Sequence, residues 1–174
     1  MRVVAGELRG RRLHAPPGRN TRPTADRVRE ALFSMLGDVS GARVLDLFAG
    51  SGALGIEALS RGAKSAVFVE RDQQALAALR RNLEAVGADA DVRRQDVVRF
   101  LARGEGKFDL VFCDPPYDVA SHVAAPLSEA LPALLEEDAR IVTESDKRNP
   151  LLLPLPLVVE RAYGDTRIAI HSAR

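Results

Sequence analysis

Cysteine is nearly missing from this 174-residue chain: Cys113 stands alone, which excludes an internal disulfide. Histidine is scarce as well. His14, His122 and His171 share no spacing that would hold zinc, so no metal centre is expected. No apolar run approaches the roughly 20 residues that span a bilayer. The opening stretch MRVVAGELRGRRL is too basic and too broken to form the apolar core of a signal peptide, so a cytoplasmic protein with no membrane partner is the expectation. Repeats, low-complexity tracts and long linkers are also missing. What is there, 46% hydrophobic and 28% charged residues, is the composition of one globular domain able to bury most of its apolar surface.

The net charge of +1 conceals an asymmetry. Residues 1–29 carry eight arginines and no lysine against Glu7 and Asp26, a local +6 that the remainder offsets with −5. A plain reading is a solvated terminal arm. Guanidinium groups, however, suit bidentate phosphate contacts and stacking on bases better than mere solubility requires. Arg9, Arg11, Arg12, Arg19 and Arg22 are therefore candidate contacts to nucleic acid.

Along the chain, elements alternate. A short hairpin is expected in MRVVAGELRGRRL, then a turn-rich segment, then a helix over about 25–36 capped by Thr24. Strands are expected at 42–48, 65–70, in ADVRRQD, at 108–113 and at 139–144, with helices at 52–62, 73–86 and in VVRFLAR between them. After the fourth strand a helix broken by Pro126 and Pro132 is expected. The last segment reads as two strands around Gly164-Asp165. Near-continuous apolar strands alternating with helices imply a mostly parallel sheet covered on both faces, and the final hairpin implies one antiparallel strand at its edge. Residues 1–24 form a basic arm attached to an α/β domain over 25–174.

The stretch DLFAGSGALG holds Gly50-x-Gly52-x-x-Gly55 between the first strand and a helix, with Glu70 ending the next strand. That arrangement binds a nucleotide-like cofactor. The glycines alone do not distinguish a dinucleotide from S-adenosylmethionine. Asp46 does: four residues before Gly50 it would repel a pyrophosphate and pair with the ammonium of a methionine moiety. Glu70 is then the acceptor for ribose hydroxyls, and Asp96 is placed for the adenine amino group. An acid in a polar loop such as Asp96 also has a purely solvated reading.

The fourth strand stops on Asp114-Pro115-Pro116-Tyr117. In an open parallel sheet the ligand sits beyond the carboxyl ends of the strands, which places these four beside the reactive end of a cofactor. Prolines supply carbonyl oxygens and no N–H, so with the Asp114 carboxylate they make a cluster of acceptors. Such a cluster suits an exocyclic amine. Accepting its hydrogens frees the nitrogen lone pair from the ring, and Tyr117 offers the extruded base a face to stack on. In isolation the four residues are also an ordinary turn. Cys113 has no histidine placed to activate it, and His122 is expected at the surface.

Taken together, RGRRL, RPTADRVREALFSML, DLFAGSGALGIEALSRGA and DPPY resemble the bacterial 16S ribosomal RNA (guanine-N2)-methyltransferase family over about two thirds of the chain. The resemblance implies a Rossmann-like class I methyltransferase fold with seven strands and S-adenosylmethionine as methyl donor. It further implies one guanine of 16S ribosomal RNA as target, met in a 30S particle or assembly intermediate. It also places Phe48 at the edge of the cofactor pocket, and Arg22 and Thr24 near the cleft. The tail after Asp146 is short for the family. Three rival readings stay open at this point: an adenine-N6 methyltransferase on RNA or DNA, an NAD-dependent oxidoreductase using the same glycine loop, and a non-catalytic RNA-binding protein.

Overall fold

The computed structural model describes residues 1–16 and 26–174, apart from the side chains of Tyr117 and Asp118. Helix α1 spans Asp26–Leu36, and an alternating series follows: β1 Arg43–Leu47, α2 Ala53–Ser60, β2 Ser65–Glu70, α3 Gln73–Val86, β3 Asp91–Arg94, α4 Val97–Arg103 and β4 Phe108–Cys113. The chain ends with α5 Tyr117–Leu134, β5 Leu135–Asp146, β6 Leu157–Tyr163 and β7 Thr166–Ser172. The seven strands form one sheet in the order β3-β2-β1-β4-β5-β7-β6, with the first five parallel. The order reverses direction between β1 and β4, and a crevice opens above the carboxyl ends of strands at such a point.

Each central strand feeds two cores, because successive side chains face opposite sides of the sheet. Val44 and Phe112 join Leu32, Phe33, Ile56, Phe68 and Leu79 on one face, while Leu45, Leu47, Val111 and Cys113 join Phe100, Leu127 and Leu131 on the other. The acidic Asp46 interrupts the first set, buried where the strand's period calls for an apolar residue.

Two expectations are corrected. Helix α5 runs unbroken through Pro126 and Pro132. Each interior proline costs about 3 kcal/mol. Val123, Leu127, Leu131 and Leu134 recur at helical spacing and are all buried in the second core, and full burial of a large apolar side chain returns about 1.5–3 kcal/mol. Packing outweighs the breakers. The last hairpin does form the margin of the sheet, but its antiparallel strand, β7, is the inner member: it lies between β5 and β6, paired with both, and β6 is outermost.

The N-terminal arm forms the expected hairpin, closed by an antiparallel bridge between Arg2 and Arg12, and it is not a loose tail. Val3 and Leu13 are buried in the first core. Glu57 of α2 accepts the backbone N–H groups of Val4 (2.7 Å) and Ala5 (3.0 Å). Ser60 accepts from Leu8 N–H at 2.9 Å. Asn82 of α3 accepts from His14 N–H (2.7 Å) and donates both to the His14 carbonyl and to the Ser51 carbonyl, each at 2.9 Å. Buried Arg29 of α1 completes the anchorage, donating to the Arg2 carbonyl and to Asp26 and lying 3.5 Å from the Glu57 carboxylate. One of the eight arginines counted in the basic segment is thus a structural cation.

Candidate active site

A cavity of about 1170 Å³ occupies the crevice over the carboxyl ends of β1, β2, β4 and β5. Its wall along the glycine loop is built from three conformations. Phe48 leaves β1 with φ of 60°, which side chains rarely adopt and which costs about 1–3 kcal/mol. Gly50 (φ 57°) and Gly52 (φ 79°) continue the turn, and Gly52 begins α2. Gly55 serves a different purpose: a Cβ there would lie 2.3 Å from the Phe68 ring and 3.1 Å from the Asp46 carboxylate. Its bare N–H donates to Asp46 Oδ2 at 3.0 Å.

Asp46 is 2% exposed. Burial raises its carboxyl to about 8, the Gly55 N–H works against that rise, and the charge of Glu70 adds to it. A buried acid in this condition favours a cation as its partner. Glu70 is engaged in a way that its position in the sequence did not disclose. Its Oε2 accepts from Gly50 N–H at 2.9 Å, and its Oε1 from Arg71 N–H and Asp72 N–H, each at 2.8 Å. The carboxylate therefore latches the glycine loop to the end of β2. Of its roughly four acceptor positions, about one is left on Oε2 for a ligand hydroxyl. Asp96 lines the cavity as the N-cap of α4, taking Val98 N–H on Oδ1 at 2.9 Å and Arg71 Nη1 on Oδ2 at 3.2 Å.

Across the cavity from Glu70 lies the end of β4. Asp114 lines the space with Pro115, Pro116 and Phe48. Surrounding protein, then the charges of Glu144 and Asp46, push its carboxyl well above the ordinary range. The Asp114 side chain is open to the cavity, so water softens the first of these causes and the two carboxylates sustain the direction. The Pro116 carbonyl accepts from Val119 N–H (2.9 Å) and Ala120 N–H (3.1 Å) to start α5, which narrows the acceptor cluster to Asp114 and the Pro115 carbonyl. The Tyr117 side chain lies outside the described residues. Cys113 is buried behind this loop, and burial followed by the charges of Asp114 and Asp46 raises its thiol, so it is no nucleophile. His122 is exposed.

Arg9, Arg11 and Arg12 are exposed on the hairpin. Arg19, Arg22 and Thr24 lie outside the described residues. Glu144 from the end of β5, with Asp146 and the Asp165-Thr166 turn of the last hairpin, lines the far part of the cavity. None of these was named from sequence. Glu144 had a signal, since it ends the strand expected at 139–144, whereas only the three-dimensional return of the hairpin brings Asp165 there. Among the described residues no cluster of His, Cys, Asp and Glu could hold a metal, and no helix is long and apolar enough to cross a membrane.

A profile of the family described as Conserved hypothetical protein 95 matches residues 1–172. Bacillus subtilis (strain 168) YlbH, provisionally named an rRNA methyltransferase, is 42% identical over 183 residues, covering all of both chains. Ribosomal RNA small subunit methyltransferase D of Escherichia coli (strain K12) is 40% identical over 158 residues, 87% of this chain and 77% of that one. The structure of Escherichia coli yhhF, also provisionally named a methyltransferase, superposes with a TM-score of 0.85 at 35% identity, covering 99% of this chain and 97% of that one. With a Rossmann-like methyltransferase fold and matches over nearly its whole length, the chain belongs to the family of the small-subunit ribosomal RNA methyltransferases D, the one described as Conserved hypothetical protein 95.

Proposed function

We propose that this protein methylates the exocyclic N2 amine of a guanine in 16S ribosomal RNA, with S-adenosylmethionine as donor and a 30S particle or assembly intermediate as substrate. The observation that carries the reading is the pair Asp46 and Asp114. They lie at the carboxyl ends of adjacent strands, where Leu47 pairs with Cys113, and both face one cavity. One carboxylate suits the cationic methionine end of the cofactor and the other suits an amine. A dinucleotide pyrophosphate fits this wall poorly, because the Glu70 carboxylate would oppose it and the neutral form of Asp46 offers it no cation.

Bound along the glycine loop, S-adenosylmethionine supplies an electrophilic methyl group on a cationic sulfur. Asp46 holds the ammonium of its methionine part. The spare position on Glu70 takes one ribose hydroxyl, Asp96 takes the adenine amino group, and Phe48 edges the pocket. Asp114 and the Pro115 carbonyl accept the two hydrogens of the guanine N2, which turns the nitrogen lone pair out of the ring plane and toward the methyl. As the N–C bond forms, the S–C pair returns to sulfur and positive charge grows on nitrogen beside Asp114. That carboxylate stabilises the charge and, with its raised proton affinity, receives the proton that N2 must lose. Tyr117 stacks on the flipped base. Arg9, Arg11, Arg12, Arg19 and Arg22 engage the RNA backbone.

The direct test is methyl transfer to 30S particles from cells lacking the gene, with the product base mapped. One guanine should gain an N2-methyl group. An N6-methyladenine product, or activity on DNA instead, would overturn the reading.

A further inference from the structure

The Asp-Pro-Pro loop accepts the hydrogens of an amine and leaves the ring to which it is attached unread. Guanine differs from other amine-bearing purines at the neighbouring atom: its N1 carries a hydrogen, whereas N1 of adenine or of 2-aminopurine is an acceptor. A site that distinguishes them needs a second acceptor one ring position from Asp114.

Glu144 meets that need. In the parallel register Cys113 of β4 pairs with Thr143 of β5, so Asp114 and Glu144 are the next residues along two strands about 4.8 Å apart. Both line the same cavity, and Glu144 is half-buried there. Its charge is felt at Asp114 more strongly than that of Asp46. A carboxylate offers several acceptor positions, so Glu144 can take a ligand N–H beside what it already engages. The guanine edge brings three N–H groups in a row, two on N2 and one on N1.

We infer that Glu144 is a specificity-determining residue that accepts the N1–H of the target guanine while Asp114 engages N2. This rests on the guanine-N2 reading given above. A carboxylate has no hydrogen to donate, so a purine with a bare N1 turns a lone pair toward it and the contact becomes repulsive. Rejection then costs the enzyme nothing beyond the geometry that already binds guanine.

The test uses the full chain and 30S particles reconstituted with 16S RNA that carries the mapped target position as guanine or as 2-aminopurine, which keeps the C2 amine and lacks the N1 hydrogen. Wild-type enzyme should favour guanine by roughly 10- to 100-fold in kcat/KM, the discrimination expected of one well-formed base contact. Glu144→Gln, whose amide can turn its NH2 toward a bare N1, should reduce that preference to about threefold or less by gaining activity on 2-aminopurine. Glu144→Ala should lose activity on guanine without that gain. Unchanged S-adenosylmethionine affinity in both variants would show that the fold and cofactor half are intact. Equal wild-type rates on the two substrates, or an unchanged preference in Glu144→Gln, would overturn the inference and leave the guanine-N2 reading standing. Absence of wild-type methylation at any guanine would overturn both.

Discussion

Lowering the pH should weaken cofactor binding through Asp46 alone, by an amount that follows from its burial. In the ligand-free cavity the Asp46 carboxyl sits at about 8. Only the ionised form attracts an ammonium, so the apparent dissociation constant scales with the inverse of the ionised fraction. That fraction is about one in eleven at pH 7 and about one in a hundred at pH 6, giving a loss of roughly ninefold in S-adenosylmethionine affinity over that unit. The cofactor's own amino group, ordinarily near 7.7–8.0, stays protonated in this window and contributes little. Titration calorimetry in buffers of different ionisation enthalpy should record about 0.9 proton released per cofactor bound at pH 7. Asp46→Asn keeps an oxygen for the Gly55 N–H and should bind weakly with no pH dependence. The same group affects folding in the opposite sense to an ordinary surface acid. Its carboxyl is raised from 3.8, so its contribution to stability is fully present below that value and is lost as pH rises toward 8. The cofactor-free protein should therefore melt at a lower temperature at pH 8 than at pH 5, more so than Asp46→Asn. Affinity that does not change between pH 6 and pH 7, with no proton released, would refute the assignment of Asp46 to the ammonium.

Asp114→Ala should bind S-adenosylmethionine normally and transfer methyl about 10²–10³ more slowly, the usual loss for one preorganised electrostatic partner; a near wild-type single-turnover rate would count against the amine-accepting role. Glu70→Ala should weaken cofactor binding by the worth of a charge-assisted hydrogen bond, about 1.5–3 kcal/mol. Because Glu70 also latches Gly50, it should in addition speed amide exchange in the glycine loop, and slow exchange there would show that the latch is dispensable. Replacing Arg9, Arg11 and Arg12 together with alanine should reduce the slope of log K for RNA against log salt by about 2, at roughly 0.7 per single-strand phosphate contact. Cofactor affinity should stay unchanged, and a wild-type slope would make these arginines a solvated face.

Local periodicity made most of the architecture legible. The strand at 65–70 and the helix at 73–86 coincide with β2 and α3 to the residue, because an alternating or 3.6-residue apolar pattern records which face is buried. What local pattern could not record was competition from elsewhere in the fold. Pro126 and Pro132 announce a break, and only the core beneath α5 overrules them. The hairpin at Gly164-Asp165 announces two antiparallel strands, yet which of them lies inside the sheet depends on pairing with β5. In the site, the positions of Asp46, Gly50, Glu70 and Asp114 were legible because each lies at or just beyond a strand end, and all four line one cavity. The latch formed by Glu70, the burial of Arg29 and the place of Asp165 depend on contacts between distant segments that leave no periodic trace.

The anchors of the N-terminal hairpin grip main chain and ignore side chains. Glu57, Ser60 and Asn82 bind the amides and carbonyls of residues 4, 5, 8 and 14. Every residue type except proline presents the same amide, so these hydrogen bonds are indifferent to what the exposed positions 9, 11 and 12 carry. Change at the exposed positions is thereby uncoupled from foldability: mutation can rewrite the outward surface of the hairpin without disturbing its seat. The converse burden falls on three buried side chains in α2 and α3, where a single change would loosen the seat of the arginines proposed to meet RNA. Through Asn82, which also holds the Ser51 carbonyl, that change would reach the glycine loop as well.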